Sequence, residues 1–243
     1  MAPIIVFITG ANRGLGLGLV KGFIAKPDHA TAARDPAHST TQALAGLSTG
    51  EGSRVLVKYE ANVEQSIFDA VKEATDQDIR HLDNVVANAG IAKLYPLSKD
   101  VKRADIVEHI DVNVLSAVSL YQATRGLLQK STGKPIYAFM GSGAGALARQ
   151  SPVSNAVYGA SKSIVNWYAV RINAEDNWLN AFVLDSGWVQ TDMGKAVALF
   201  WGLEEAPETP ENFITGMVEI LSTGTKEQYG GKFVRYTGEV LEW

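Results

Sequence analysis

Cysteine is absent from the 243-residue chain. That excludes disulfides, thiolate chemistry and Cys-ligated metals, and no metal site is expected. No run of five like charges occurs, and 22 Lys and Arg against 26 Asp and Glu leave a formal charge of −4. A basic groove for nucleic acid is therefore not expected. Long apolar stretches are missing as well. The early run Ile4-Ile5-Val6-Phe7-Ile8 is too short for a signal-peptide core or a membrane span. With no basic segment before it, the start reads as mature protein, and the expected location is the cytoplasm. Internal repeats and low-complexity tracts are also lacking. The remaining composition, 46% hydrophobic and 20% charged, is ordinary globular usage and leaves disorder a poor reading. A single domain over 1–243 fits this length.

Along the chain, apolar β-branched runs alternate with segments of helical period. Strands are expected at 4–8, 30–33, 54–59, 83–87, 135–140, 179–184 and 232–236. Helices are expected at 15–25, 40–47, 64–77, within 101–130, at 158–175 and at 213–221. This alternation predicts an α/β fold: a doubly wound parallel sheet of about seven strands (a Rossmann fold), with helices on both faces in three α/β/α layers. Right-handed crossovers bring the strand C-terminal ends to one edge, where ligands bind. The unusual clusters of the sequence all fall at those ends. Segment 189–212, with Pro207, Pro210 and acidic residues that include Asp192, Glu204, Glu205 and Glu208, has no clear period and reads as a surface excursion or substrate lid.

The first strand runs into Thr9-Gly10-Ala11-Asn12-Arg13-Gly14-Leu15-Gly16. Glycines at this spacing permit a tight turn and let backbone N–H groups approach a pyrophosphate at a helix N-terminus. Roughly 20 residues on comes Arg34, where an acid would hold the ribose hydroxyls of NAD and an Arg accommodates a 2′-phosphate. Arg13 adds a second positive charge. NADPH is favoured over NADH on this basis. The alternative is that Arg34 and Asp35 form a solvated turn and Pro36 opens a helix.

Tyr158-Gly159-Ala160-Ser161-Lys162 places Tyr158 and Lys162 on one helix face. A free tyrosine titrates near pH 10, and a neighbouring ammonium lowers that value, so Tyr158 can exchange a proton with a substrate oxygen. Ser142 follows a strand, where its hydroxyl can meet a substrate carbonyl. Asn113 lies mid-helix, an awkward place for Asn unless its side chain has a partner elsewhere. Asn88-Ala89-Gly90 closes the fourth strand. Each residue taken singly has a plainer reading, as turn former, locally bonded amide or surface lysine.

Thr9-Gly10-x-x-x-Gly14-x-Gly16, Asn88-Ala89-Gly90, Asn113, Ser142, Tyr158 and Lys162 together resemble the short-chain dehydrogenase/reductase family over nearly the whole chain. Ser186-Gly187, followed by Thr191, resembles the Pro-Gly segment that covers the nicotinamide in that family. The Asn12-Arg13 pair, the stretch from Gly187-Trp188-Val189-Gln190 to Thr191-Asp192-Met193-Gly194 and the ending at Trp243 are similar to its fungal group of C-factor-like and norsolorinic-acid-ketoreductase-like proteins. The resemblance implies Tyr158 as general acid in reduction, Lys162 as the group that lowers its pKa and holds the nicotinamide ribose, and Ser142 as the residue that positions the substrate oxygen. It implies that Asn113 holds a helix open for a proton-relay water. It implies cofactor contacts from Gly10, Asn12, Arg13, Gly14, Leu15, Gly16, Arg34, Glu60, Asn88, Ala89, Gly90, Tyr158, Lys162, Ser186, Gly187, Val189 and Thr191. Three departures stand out. The second strand is short, with only Ala and Thr around Arg34. Glu60 sits where the family often has Asp, and Ser186 replaces Pro.

The expected activity is reduction of a carbonyl on a hydrophobic, aromatic or polyketide-like substrate, with NADPH as cofactor. A dinucleotide-binding sensor without catalysis is a second reading, and a reductase scaffold guiding cyclisation or isomerisation is a third. Val197, Leu199, Phe200, Trp201 and Leu203 either line an apolar pocket or pack on the core or a second subunit. A homodimer or homotetramer is expected, pairing through the helices of 101–130 and 158–175. No membrane or nucleic-acid partner is expected.

Overall fold

The computed structural model describes residues 4–26, 29–32, 54–56 and 63–243. Arg34, Glu60 and the helix expected at 40–47 lie outside these residues. Eight strands form one sheet: β1 (Ile4–Ile8), β2 (His29–Ala32), β3 (Arg54–Leu56), β4 (Asn84–Ala87), β5 (Ile136–Gly141), β6 (Asn180–Asp185), β7 (Phe233–Arg235) and β8 (Val240–Leu241). Their order is β3-β2-β1-β4-β5-β6-β7-β8. All neighbours are parallel except β7 and β8. Seven strands thus run as the sequence predicts, and a two-residue antiparallel strand closes the edge.

The central strands are buried along their whole length because both sheet faces are covered. Phe7, Tyr137, Phe139, Phe182 and Phe233 are almost wholly shielded from solvent and fill the space between layers. The helices among the described residues are α1 (Gly14–Ile24), α2 (Glu64–Asp76), α3 (Arg103–Ile110), α4 (Ser116–Leu128), α5 (Tyr158–Glu175), α6 (Asp192–Phe200), α7 (Pro210–Thr223) and α8 (Lys226–Tyr229). On α2 the buried residues Ile67, Ala70, Val71 and Ala74 recur at helical spacing and seat the helix on the sheet. The buried stripe of α5 differs: it carries Ser161, Lys162 and Asn166 beside Val165, Ala169 and Ile172. A helix that turns polar groups inward is placed there for something other than packing.

The helical region expected within 101–130 is not one helix. A π-helical turn, Asp111–Leu115, joins α3 to α4. Strand order reverses between β1 and β4, so their C-terminal ends flank the crevice where such sheets bind ligands.

Candidate active site

The turn after β1 is held open by its glycines and by a threonine. Gly10 has φ +62°, which favours glycine. At Gly16 a Cβ would lie 2.3 Å from the Gly10 carbonyl, so the helix could not approach the turn with any side chain there. Thr9 Oγ1 accepts from the backbone N–H of Asn88 at 3.0 Å and of Ala89 at 2.9 Å. Asn88 Nδ2 donates back to the Thr9 carbonyl at 2.8 Å. These bonds lock the glycine turn to Asn88-Ala89-Gly90 across the reversal in strand order.

Beside them is a cleft of about 580 Å³, lined by Gly10, Asn12, Arg13, Gly14, Leu15, Asn88, Ala89, Gly90, Tyr158, Lys162, Ser186 and Thr191, among others. Arg13 begins α1 without a side-chain cap, and no acidic residue occupies the first turn. The positive end of the helix is thus free to meet an anion. Asn12 is buried, and its Nδ2 has no hydrogen-bond partner among the described residues. An orphaned donor, an uncapped helix start and a glycine cradle fit a dinucleotide, with these residues as its holders.

Asn113 sits in the π turn and is buried. Its Oδ1 accepts from Ile91 N at 2.7 Å, and its Nδ2 donates to the Ile91 carbonyl at 3.0 Å and to Ser161 Oγ at 2.9 Å. The amide therefore braces the segment after Gly90 against α5. Its partners explain how Asn is tolerated within a helix.

Ser142 begins the turn after β5 and accepts from Ala144 N at 3.2 Å. Tyr158 opens α5, and Lys162 follows one turn later. Lys162 Nζ lies 5.8 Å from the centre of the Tyr158 ring and donates to the Met140 carbonyl at 2.7 Å. Burial of the hydroxyl pushes the Tyr158 phenol up to about 12, opposed by a hydrogen bond from Ser142. Burial likewise pushes Lys162 down to about 8. The sequence reading has the ammonium lowering the phenol. In the structure burial is the larger influence on both, and the lowering contact comes from Ser142.

A second cavity, about 1110 Å³, also has Tyr158 in its wall. Its walls include Tyr95, Ser142, Leu147, Val153, Trp188, Val189, Met193, Val197, Trp201 and Leu203. Tyr158, Leu15, Ser186, Thr191 and Met193 line both cavities. Segment 189–212 contains α6, capped by Thr191, which accepts from Gly194 N at 3.2 Å. The ends of the segment are tied together: Gln190 N donates to Glu208 O at 2.9 Å, and Glu208 N to Trp188 O at 3.1 Å. Trp201 packs its ring against Tyr95 at 5.8 Å and Trp188 at 5.5 Å. Of the five apolar residues singled out in the segment, Val197, Trp201 and Leu203 line the cavity, while Leu199 and Phe200 are exposed at 73% and 57%.

The described candidates thus gather around the two cavities. Gly187 lines the larger one beside Ser186, and Gly16 packs behind the glycine turn. Sequence reasoning does not single out Tyr95, Trp188, Gly145 or Asp185. Tyr95 is an ordinary aromatic in a loop and carries no local signal, and Trp188 enters the sequence reading only within the stretch that resembles the fungal group, not as a site residue. Asp185 carries one: an acid follows the apolar run Ala181-Phe182-Val183-Leu184 at the ligand-binding edge.

The chain matches the family model for short chain dehydrogenase over residues 4–199. It is 37% identical to a norsolorinic acid ketoreductase of Dothistroma septosporum, over 97% of this chain and 91% of the relative. It is 33% identical to the norsolorinic acid ketoreductase of Aspergillus parasiticus, over 98% and 91%. Among solved structures it superposes on NADPH-bound carbonyl reductase from chicken fatty liver with a TM-score of 0.86 and 26% identity, covering 100% of each chain. The glycine turn, the Asn88-Ala89-Gly90 strand end and this full-length similarity lead to one assignment: the chain belongs to the short-chain dehydrogenase/reductase family of oxidoreductases.

Proposed function

We propose that this protein is an NADPH-dependent ketoreductase that reduces the carbonyl of a hydrophobic, aromatic or polyketide-like substrate, with Tyr158 as the proton donor. The observation that carries the reading is the position of Tyr158 on the wall shared by the dinucleotide-sized cleft and the larger apolar cavity. A substrate seated among Tyr95, Trp188 and Trp201 brings its carbonyl to the Tyr158 and Ser142 hydroxyls. The bound dinucleotide supplies the hydride. Tyr158, held in its neutral form by burial, gives its proton to the carbonyl oxygen as negative charge develops there. Ser142 orients that oxygen and stabilises its charge. Lys162, anchored on Met140, sets the position of the ribose and carries positive charge below about pH 8. Segment 189–212 acts as the lid that excludes water from the larger cavity.

Tyr158→Phe is expected to lower kcat by about 10²–10⁴-fold while leaving NADPH affinity nearly unchanged, read by fluorescence titration of the bound nucleotide. Wild-type turnover in that variant rejects the role of Tyr158. The preference for NADPH is supported by Arg13 at the cleft and by Arg34 in the sequence. Removing either charge weakens a charge-assisted contact by about 1.5–3 kcal/mol, so Arg13→Ala and Arg34→Ala should each lower kcat/KM for NADPH relative to NADH. An unchanged ratio in both variants dismisses the preference.

A further inference from the structure

Asp185 ends β6 and is only 2% exposed. Its Oδ1 accepts two backbone hydrogen bonds, from Gly143 N at 3.1 Å and from Gly187 N at 3.0 Å. Those amides belong to different turns: one follows β5 and carries Ser142, the other follows β6 and carries Ser186. The carboxylate makes no ion pair with a described residue. Arg235, its register partner on β7, pairs with Glu239 instead. Oδ2 accepts no hydrogen bond among the described residues, and Asp185 lines the larger cavity together with Ser142 and Tyr158. A buried carboxylate without a cation is costly, and the two amides compensate only one of its oxygens.

The groups that share the larger cavity with Tyr158 and act on its phenol, together with the amine over its ring, come from four elements. They are Ser142 after β5, Tyr95 in the loop after β4, Asp185 on β6 and Lys162 on α5 itself. Asp185 is the carboxylate among them. We propose that Asp185 is a positioning residue for carbonyl reduction: one oxygen ties the Ser142 turn to the Ser186 turn, and its charge holds Tyr158 in the protonated, proton-donating form. The proposal rests on the ketoreductase reading above and adds a residue to it. The electrostatics agree, since the Asp185 charge acts on the phenol in the same direction as burial, after the contributions of Ser142 and Tyr95.

In reduction, hydride adds to the carbonyl carbon and the C=O π pair moves to oxygen. That oxygen takes the proton of the Tyr158 O–H, leaving a phenolate that solvent reprotonates. Alcohol oxidation is the reverse and starts from the phenolate. A neighbouring negative charge opposes the phenolate, so it moves the acid limb of oxidation to higher pH and lets reduction persist there.

The test uses the full chain with Asp185→Asn and Asp185→Ser, which keep an oxygen for the two amides without the charge, and Asp185→Glu, which keeps the charge. The pH profile of kcat/KM for oxidation of a secondary aryl alcohol with NADP⁺ is measured for each. The phenolate band of Tyr158 is titrated in parallel by ultraviolet difference against the matching Tyr158→Phe protein, a readout that needs no turnover. Both neutral variants are expected to oxidise and ionise about one pH unit lower, which is about tenfold faster oxidation at a fixed pH on the acid limb, while the Glu variant follows the wild type. A profile and titration unmoved in the neutral variants overturn the proposal. So does an equal loss of rate at every pH, which marks a purely structural tie. Failure of both neutral variants to fold beside a folded Glu variant makes the charge a requirement of folding and overturns it too. Wild-type protein inactive on every carbonyl rejects the ketoreductase reading instead, and the Tyr158 titration still decides the influence of Asp185.

Discussion

Replacing Gly145 with alanine tests how closely the proton-donating helix is seated. Gly145 ends the short 3₁₀ turn Gly143–Gly145, which begins at Ser142. Its carbonyl accepts from Ser163 Oγ at 2.8 Å and from Asn166 Nδ2 at 3.1 Å, both on α5. A Cβ at this position would lie 2.6 Å from the Lys162 carbonyl carbon, 2.8 Å from Lys162 Cβ and 2.8 Å from Ser163 N. Two of these three atoms are backbone, so no rotamer change relieves the contact. Reaching the 3.4 Å of an ordinary contact from 2.6 Å requires α5 to retreat by about 0.8 Å. Overpacking of this kind costs about 1–3 kcal/mol. For a chain of this length, about 2 kcal/mol lowers the thermal midpoint by roughly 4–8 °C. The same retreat carries Tyr158 and Lys162 away from Ser142, and a displacement near 1 Å lowers turnover by about 10²-fold. Thermal unfolding, nucleotide titration and steady-state kinetics on Gly145→Ala separate these effects. A variant with wild-type stability and wild-type kcat refutes the claim that this contact sets the position of the helix.

Two further outcomes follow from the same geometry. Thr9→Val removes the acceptor for the Asn88 and Ala89 amides, and each amide deprived of its partner costs about 1–3 kcal/mol, towards the lower end here because both border the open cleft. Denaturant unfolding should show a total loss of about 2–3 kcal/mol together with weaker nucleotide binding, and Thr9→Ser should restore both. For pH, Lys162 titrates near 8 in the folded protein against 10.5 ordinarily, so folding favours its neutral form. Its contribution is present above about pH 10.5 and is lost as pH falls to about 8. The stability of wild type relative to Lys162→Met should therefore rise with pH across that window, measured by urea unfolding. Tyr158, raised to about 12, acts in the other direction above pH 10 but is common to both proteins. A flat difference excludes the burial of the amine as described.

The central sheet is legible in the sequence because strands covered on both faces read as unbroken apolar runs, as Ile4–Ile8 and Ile136–Gly141 do. Helix α5 begins and ends where its period predicts, Tyr158–Glu175. The cradle is legible because glycines and Asn88 stand at strand ends, where only a few conformations connect strand to helix. Other features depend on contacts that local sequence does not carry. The π turn is read as continuous helix, since its partner Ile91 lies 22 residues away. Strand β8 has two residues, too few for a period. Helix α6 is hidden among the prolines and acids of its surroundings. The protonation of Tyr158 and Lys162 follows from depth of burial, which spacing along a helix does not report. Arg34 and Glu60 lie outside the described residues.

The wide turn at Asp111–Leu115 works as a phase setting. Each residue advances an α-helix by about 100°, so the additional residue accommodated by a π turn rotates all that follows by about that angle. Ala117, Leu120, Leu127 and Leu128 face the interior only in that phase, and Tyr121 and Arg125 reach Asp176 only from it. Deleting one residue there would iron the helix flat, swing the leucines toward water and pull the Tyr121 and Arg125 anchors off their carboxylate. The local irregularity that seats Asn113 is thereby protected by the packing of four helical turns beyond it.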